Sequence, residues 1–170
     1  MPFSIGLVNP KAATNVAAIL RSAGCFGASS IFYTGQRFGY AKDNNKDFAQ
    51  DTQNFRKQIP TVGVDDLLAY KPDGAISVVI ELVENAIALP EFKHPENAYY
   101  IFGPEDGSVS QTLVDEADHV VFIPCRSNLN LAATASVLFY DRLCKLGYDK
   151  TNNAVRQARD KNNTLAINSP

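Results

Sequence analysis

The sequence predicts an α/β domain whose mostly parallel sheet is flanked by helices. Three apolar stretches, residues 74–83, 99–103 and 119–123, lack polar alternation, which is typical of strands that are covered on both faces. Segments with helical spacing separate the strand-like segments, so strands alternate with helices along the chain. A length of 170 residues suits one domain.

The predicted domain covers residues 1–150. The remaining segment, 151–170, has few apolar residues and carries Arg156, Arg159 and Lys161. Such a composition predicts a frayed helix or a disordered tail.

The first elements follow from proline, glycine and helical spacing. Residues 3–9 are predicted as the first strand, which an Asn-Pro pair ends. A helix follows, with Thr14 or Asn15 as its N-cap and Gly27 as its carboxyl-terminal stop. Its apolar residues are Val16, Ile19, Leu20, Ala23 and Phe26. Residues 30–33 are predicted as a short second strand.

The later helices are predicted from caps and stripes. Residues 34–58 form a polar, irregular and locally basic segment. A short helix is expected to begin at Asp65, and another to run from 110 to 117 with Ser110 as its cap. The last long helix begins near Leu129 and ends at Gly147. Its expected stripe contains Leu129, Ala132, Ala133, Ser136, Val137, Tyr140 and Cys144.

Composition limits the possible partners and compartments. The net charge is −2 and the pI is about 5.6, whereas non-specific nucleic-acid binders usually have a pI above about 9. Any RNA binding must therefore use a local basic patch or one assembled between subunits. Three cysteines without Cys-x-x-Cys spacing favour a reducing, cytoplasmic setting. The sequence also predicts no signal peptide and no membrane span.

Common nucleotide and metal motifs are missing from the sequence. No Gly-x-Gly-x-x-Gly follows a strand, and no Gly-x-x-x-x-Gly-Lys-Ser/Thr is present. His94 and His119 are unaccompanied in the sequence, so we expect neither a metal site nor a Ser-His-Asp triad.

Two strand-end loops predict a pocket for a small polar ligand. The strands at 99–103 and 119–123 each stop at a loop that contains Pro and Asn or Gly. Such loops leave backbone N–H and C=O groups available to a ligand.

Three segments together are similar to a known family. Residues 9–27, 101–110 and 123–141 resemble, in order and spacing, the three motifs of the SpoU (TrmH-like) RNA ribose 2'-O-methyltransferases of the SPOUT superfamily. The resemblance implies an α/β fold with a deep trefoil knot in its carboxyl-terminal part. It also implies S-adenosylmethionine as cofactor, RNA as substrate, and a homodimer that completes the active site across its interface.

The resemblance assigns roles to residues of this chain. Arg21, Asn15, Glu105 and Asn130 match the family's catalytic positions. From the residues alone, Arg21 could instead be a solvated charge and Asn15 an N-cap. Asn128 departs from the family, which usually has serine there. The residues expected to bind the cofactor are Glu81, Leu82, Gly103, Glu105, Gly107, Ile123 and Leu131, although Ile123 and Leu131 could equally be core residues.

Local basic residues predict the path of the RNA. We expect RNA to contact Lys11, Arg21, Arg37, Lys42 and Arg126. From the residues alone, the charges of segment 34–58 and of Arg126 could instead face solvent. The compact domain favours tRNA over ribosomal RNA, while the choice between the D-loop and the anticodon wobble ribose stays open. A non-catalytic knotted protein that binds RNA or another partner is the main alternative. A flavodoxin-like nucleotide binder is less favoured, because the loop after the first strand is poor in glycine.

Overall fold

The computed structural model of the chain describes residues 3–41, 49 and 51–167. The strands are β1 Phe3–Leu7, β2 Ala28–Tyr33, β3 Thr61–Gly63, β4 Ile76–Ile80, β5 Ile87–Ala88, β6 Ala98–Phe102 and β7 His119–Phe122. The α-helices are α1 Ala13–Phe26, α2 Arg37–Ala41, α3 Gln111–Glu116, α4 Leu131–Leu146 and α5 Asn152–Ala158. Two 3₁₀ helices cover Phe55–Lys57 and Leu89–Glu91.

The strands form one parallel sheet in the order β3-β2-β1-β6-β4-β7-β5. This confirms the predicted α/β class with a mostly parallel sheet. Strands β1 and β6 lie side by side although residues 8–97 separate them, with Ile5 opposite Tyr100. Because all the strands run the same way, their carboxyl ends meet at one edge.

Two apolar clusters cover the two faces of the sheet. Helices α1 and α4 pack on the larger cluster, which includes Phe3, Tyr100 and Phe139. The smaller cluster contains Val79, Tyr99 and Ile101 and is covered partly by α3. The unalternating strands therefore have the two-sided burial that their composition predicts.

Several predicted helix details are wrong. No helix begins at Asp65, because the Asp66 carboxylate accepts hydrogen bonds from the N–H groups of Leu68 and Ala69 (2.8 and 3.2 Å) and forms a turn. Neither Thr14 nor Asn15 caps α1, since the N-cap is Ala12, which has no capping side chain. Gly27 ends α1 with φ of 79°, and Ser110 caps α3, both as predicted. Strands β3 and β5 and helix α2 were not predicted from the sequence.

Most of the expected stripe of α4 does not face the core of its own chain, although Ala132 packs against it and Ser136 bonds to Ser22 of α1. Val137 is 42% exposed and Tyr140 is 61% exposed, and Cys144 is also exposed. The buried face consists instead of Leu131, Ala135, Leu138, Phe139 and Arg142. Both faces of this helix carry apolar residues, so periodicity alone could not identify the face that packs on the sheet.

The prediction that His94 is unaccompanied is wrong. Its ring nitrogens lie 2.6 Å from the Tyr100 hydroxyl and 2.8 Å from an Asp141 carboxylate oxygen. Arg142 donates to the Tyr100 hydroxyl and to two backbone carbonyls. Burial lowers the pKa of His94 although Asp141 acts to raise it. This polar network fixes α4 against β6 and the loop before it.

The tail forms a short helix that does not join the core. Thr151 caps α5 by accepting a hydrogen bond from Asn153 N–H, and no α5 side chain is buried. In the described ranges, none of the helices has the length and apolar character needed to cross a bilayer.

Candidate functional site

A cavity of about 400 Å³ lies where the carboxyl ends of β4, β6 and β7 meet. The loops that follow these strands form its walls, and the start of α4 closes one side. Its lining residues are Ile80, Glu81, Leu82, Phe102, Gly103, Pro104, Glu105, Gly107, Ser108, Ile123, Cys125, Asn128, Leu129, Asn130, Leu131 and Thr134. The edge formed by the carboxyl ends of parallel strands is the usual position of ligand sites in open α/β sheets.

Glu105 joins this cavity to the start of helix α1. Its carboxylate accepts hydrogen bonds from the N–H groups of Lys11 (2.8 Å) and Ala12 (3.0 Å) and from the Asn15 amide (3.0 Å). The carboxylate thus caps a helix whose own N-cap residue cannot do so, and it lies at the positive end of the helix dipole. Burial acts to raise the pKa of Glu105, but these hydrogen bonds outweigh it, so the pKa is lowered.

Asn15 continues the chain of hydrogen bonds to Asn130. The Asn130 amide donates to the Asn15 side-chain oxygen (3.1 Å). The Asn130 oxygen accepts from the N–H groups of Ala132 (2.9 Å) and Ala133 (3.4 Å), so it caps α4. Three of the four predicted catalytic residues therefore meet at the rim of the cavity. Along this chain of hydrogen bonds, each amide nitrogen donates and each side-chain oxygen accepts.

Gly103 and Glu81 shape the floor of the cavity. A Cβ atom at Gly103 would lie 2.9 Å from Glu81 Oε2 and 3.4 Å from a Val109 methyl group, so a larger residue here would displace the end of the Glu81 side chain. The Glu81 carboxylate accepts from the N–H groups of Leu82 (2.9 Å) and Val109 (3.3 Å). All seven residues predicted to bind a cofactor line this one cavity.

The structure adds residues that the motifs did not single out. Thr134 on α4 and Cys125 after β7 also line the cavity, and the Cys125 thiol donates to the Ser127 carbonyl (2.8 Å). Asn128 lines the cavity and accepts a hydrogen bond from the Ser127 hydroxyl (3.1 Å). Thr134 and Cys125 had no sequence signal beyond their position inside the third matched segment, residues 123–141, whereas Asn128 stands out as a departure from the family.

Arg21 is not brought to the cavity by its own chain. It lies on α1 and donates to the Thr52 hydroxyl in the segment before the first 3₁₀ helix. Six residues separate Asn15 from Arg21, which places the two side chains on different sides of the helix. Arg21 is therefore absent from the lining of the cavity in the single chain.

The other four predicted RNA-binding residues fall into three groups. Lys11 and Arg37 both contact the Asp106 carboxylate (3.2 and 2.9 Å). The Arg37 hydrogen bond, together with that of Lys11, holds the pKa of Asp106 below its usual value. Arg126 is exposed on the loop beside the cavity. Lys42 lies outside the described residues.

A comparison with family models decides the assignment. The model described as the SpoU rRNA Methylase family matches residues 2–140. The chain belongs to the SpoU methylase family. Members of this family are RNA methyltransferases that use S-adenosylmethionine, and this is the general activity of the SpoU chain described here. No curated protein sequence matches the chain.

Several solved structures share the fold of this chain. The A. aeolicus TrmH/SpoU tRNA modifying enzyme is 23% identical, with a TM-score of 0.71 over 84% of this chain and 74% of that one. A structure bearing on the 2-OH methylation of C/U34 on tRNA is 18% identical, with a TM-score of 0.73 over 85% and 96%. AviRb from Streptomyces viridochromogenes, in complex with the cofactor AdoMet, is 19% identical, with a TM-score of 0.69 over 84% and 57%.

The cavity of this SpoU protein fits the family's cofactor. Gly103 leaves the backbone open at the floor, and backbone groups of the three strand-end loops face the same space. Ile123 and Leu131 add apolar surface beside the carboxylates of Glu81 and Glu105. A ligand with an apolar ring, polar edges and a positive centre suits such a lining. Within the described residues, no group of three or more His, Cys, Asp or Glu is placed to hold a metal ion.

Proposed function

We propose that this protein methylates a ribose 2'-hydroxyl of RNA, with tRNA as the favoured substrate. The observation that carries the proposal is the hydrogen-bonded chain Glu105–Asn15–Asn130 at the rim of the cavity. It links the ends of β1 and β6 to the start of α4, and all three residues belong to the motifs that the family shares. Two solved structures that share its fold concern tRNA modification, which is the reason for favouring tRNA.

S-adenosylmethionine would be held in the cavity by the seven residues Glu81, Leu82, Gly103, Glu105, Gly107, Ile123 and Leu131. The bound cofactor supplies an activated methyl group. The task of the protein is then to align the ribose oxygen with the methyl group and to help its proton leave. Asn130 and Asn15 fix the rim against which the ribose lies, and their fixed amide directions favour one orientation of its hydroxyl.

Arg21 would hold the RNA phosphate next to the reacting ribose. A guanidinium group does not give up its proton in proteins, so Arg21 acts by its charge and its fixed donors rather than as a base. The hydroxyl proton then leaves through the phosphate or through water. Lys11, Arg37 and Arg126 extend the positive surface along the same edge, and Asp106 holds the first two in place.

A homodimer would bring Arg21 of one chain to the cavity of the other. The exposed stripe of α4, with Val137, Tyr140 and Cys144 at helical spacing, is apolar and suits a contact with a second copy. This assignment also explains why the stripe, which is readily recognised in the sequence, does not pack on its own sheet.

The remaining parts of the proposal concern topology and compartment. The likeness in fold to TrmH/SpoU structures supports a trefoil knot formed by the carboxyl-terminal segment. The absence of buried side chains in α5 supports a domain over residues 1–150 with a separate tail at 151–170. The exposed thiols of Cys25, Cys125 and Cys144 suit the reducing cytoplasm.

The proposal is tested by methyl transfer to RNA and by calorimetry. Purified protein is incubated with labelled S-adenosylmethionine and either tRNA or ribosomal RNA, and 2'-O-methyl nucleosides are identified by mass spectrometry after digestion. We expect Arg21→Ala to abolish transfer while the cofactor Kd stays within about twofold, and Arg156→Ala on the exposed tail to leave both unchanged. Methylation of a base would show that the ribose hydroxyl is not the acceptor. Activity on ribosomal RNA alone would show that tRNA is not the substrate. A chain that binds no cofactor would instead be a non-catalytic binding protein.

A further inference from the structure

We propose that the side chains of Lys11 and Arg37 form a site for one phosphate of the RNA backbone, and that Asp106 occupies this site in the free protein. The phosphate displaces the Asp106 carboxylate when RNA binds. The inference rests on the proposed function, because it takes RNA as the substrate. It adds to that function a specific exchange of one anion for another beside the cofactor cavity.

Two cations from different parts of the chain converge on Asp106. One guanidinium nitrogen of Arg37 donates to both carboxylate oxygens (2.9 Å each), and the Lys11 ammonium lies 3.2 Å from one of them. The fold brings the segment before α1 and the start of α2 together at this carboxylate. A backbone phosphate also presents a negative charge shared between oxygens, so it can accept the same hydrogen bonds from the two cations.

Arg37 is held in place by contacts that do not involve Asp106. Its Nε donates to the backbone carbonyl and to the side-chain oxygen of Asn9 (3.1 Å each), and a second guanidinium nitrogen donates to the same carbonyl. Asn9 is itself fixed, because its N–H donates to the Thr34 hydroxyl (3.2 Å). The guanidinium therefore keeps its orientation when the carboxylate leaves. Donors that are already oriented lose less conformational entropy when a ligand binds.

The contact with Asp106 is exposed enough to be exchanged. The exposed fraction of the side chain is 61% for Lys11, 32% for Arg37 and 45% for Asp106. Ion pairs in contact with water add little net stability, because solvent screens them. The RNA also releases condensed counterions when cations bind its phosphates. The exchange of the carboxylate for a phosphate is therefore favoured.

The site adjoins the wall of the cofactor cavity. Glu105 lines the cavity and accepts from the N–H of Lys11 (2.8 Å), while Asp106, the next residue, pairs with the ammonium of the same lysine. Gly107 lines the cavity again. The two neighbouring carboxylates thus bind the backbone and the side chain of one lysine. A phosphate in place of Asp106 would belong to a nucleotide close to the methylated ribose.

Removing the charge of Asp106 tests the exchange. Filter binding of unfractionated tRNA, with ribosomal RNA in parallel, gives the apparent Kd of the full chain. Asp106→Asn removes the competing anion, so we expect it to bind RNA about threefold more tightly than the wild type. Asp115→Asn is the matched control, because Asp115 is exposed on α3, which leads away from the cavity loops to the start of β7. Its Kd should equal that of the wild type.

Two outcomes of this comparison would overturn the proposal. Equal gains in Asp106→Asn and Asp115→Asn would show that the removed charge acts by diffuse repulsion of RNA. Equal or weaker RNA binding by Asp106→Asn would show that the carboxylate braces the two cations and does not compete with the phosphate. Calorimetry should show the same S-adenosylmethionine Kd in Asp106→Asn as in the wild type, since Asp106 does not line the cavity. A weaker cofactor affinity would place the effect in the cavity and overturn the site.

A double-mutant cycle connects the gain to Lys11. Lys11→Ala keeps the backbone N–H that donates to Glu105 and should weaken RNA binding about fivefold. Lys161→Ala removes the same charge from the exposed tail and should leave the Kd for RNA unchanged. In the Lys11→Ala background, the gain from Asp106→Asn should fall well below its value in the wild type. An undiminished gain would overturn the exchange.

Inorganic phosphate separates the RNA backbone from a free phosphate as the ligand. Calorimetry of Asp106→Asn with inorganic phosphate should give a Kd above about 5 mM, because two exposed cations alone bind a single anion weakly. A lower Kd would assign the site to a free phosphate and overturn its assignment to RNA. Wild-type protein that methylates RNA while Asp106→Asn gains no affinity would overturn this site alone. Wild-type protein that neither binds nor methylates RNA would refute the proposed function itself.

Discussion

Replacing Glu105 by glutamine tests the connection between the cavity and helix α1. The carboxylate accepts from two backbone N–H groups, those of Lys11 and Ala12, and from the Asn15 amide. A glutamine side chain of the same size can keep its oxygen toward Ala12 and Asn15. Its amide nitrogen then faces the N–H of Lys11, so one acceptor is lost and the negative charge at the helix start disappears.

The expected loss of stability follows from these contacts. A missing N-cap hydrogen bond costs about 1 kcal/mol, and a missing negative charge at a helix start costs about 0.5 kcal/mol. Glu105 is only partly buried, so solvent keeps the charge contribution small. We therefore expect Glu105→Gln to lower the free energy of unfolding by about 1.5 kcal/mol at pH 7. For a chain of this size that corresponds to a Tm lower by about 3–6 °C.

The pH dependence gives the sharper test. The folded protein lowers the pKa of Glu105 below its usual value of 4.5, so its contribution is complete above that value and is lost as the pH falls through the folded pKa. The difference between wild type and Glu105→Gln should therefore be constant from pH 8 to about 5. It should shrink below about pH 4.5, because a protonated carboxyl group resembles the amide.

Urea unfolding of both proteins at pH 7, 5, 4 and 3 measures this difference. Glu116→Gln is the matched control, because Glu116 is exposed near the end of α3 and should follow the wild type at every pH. Equal stability of wild type and Glu105→Gln at pH 7 would refute the capping role. A difference that persists unchanged at pH 3 would show that packing rather than charge is responsible.

Three further substitutions probe the cavity, the sheet and the exposed face of α4. Gly103→Ala places a Cβ 2.9 Å from Glu81 Oε2 and should raise the calorimetric Kd for S-adenosylmethionine about tenfold, or about 1.4 kcal/mol. Gly39→Ala, whose Cβ would meet no described atom within 4 Å, should leave this Kd unchanged. Equal increases in Kd for the two variants would contradict a cavity role for Gly103. Asp118→Asn should destabilise the protein by about 1 kcal/mol at pH 7, because hydrogen bonds from Ser77 of β4 lower the pKa of Asp118 to about 2, while solvent around the 41% exposed side chain keeps the effect small. The difference in urea unfolding should vanish as the pH falls from about 4 to 2, and a constant difference would exclude the carboxylate charge as its cause. Tyr140→Glu should halve the mass found by light scattering and reduce methyl transfer with cofactor binding retained; an unchanged mass would place the dimer contact elsewhere.

The cofactor cavity could be predicted because each of its walls is a short contiguous segment. Gly103, Ile123 and Leu131 lie at or just beyond the ends of apolar strands or at the start of a helix, so the sequence places them at one edge once the sheet is parallel. The capping of α1 could not be predicted in the same way. Asn15 has the residue type and position of an N-cap, but Glu105, 90 residues later, satisfies the N–H groups instead. Because β1 and β6 are adjacent in the sheet, Glu105 lies at the start of α1 and caps it in place of Asn15.

Helix α4 shows a second limit of sequence periodicity. A stripe of apolar residues predicts burial, but it does not say what covers it. Val137 and Tyr140 are exposed in the single chain, while Leu138 and Phe139, one position away, are fully buried. Two apolar faces on one helix are expected when the helix packs on its own sheet and on a neighbour at once. The incorrect expectation for the core of this chain is thus consistent with the proposed contact between chains.

The order of the strands explains why residues from both ends of the chain are needed for one site. In the sheet, β2 and β3 lie outward from β1 on one side, and β6 and β4 lie on its other side. The loops after β1 and β6 therefore border the point where the strand order reverses. Glu105 bridges that point, and Asn15 carries the contact on to Asn130 at the start of α4. Any shift in the cavity loops must therefore be felt at the start of α1. Because Arg21 lies on the same helix, we expect occupation of the cavity in one chain to influence the guanidinium that we propose for the cavity of its partner.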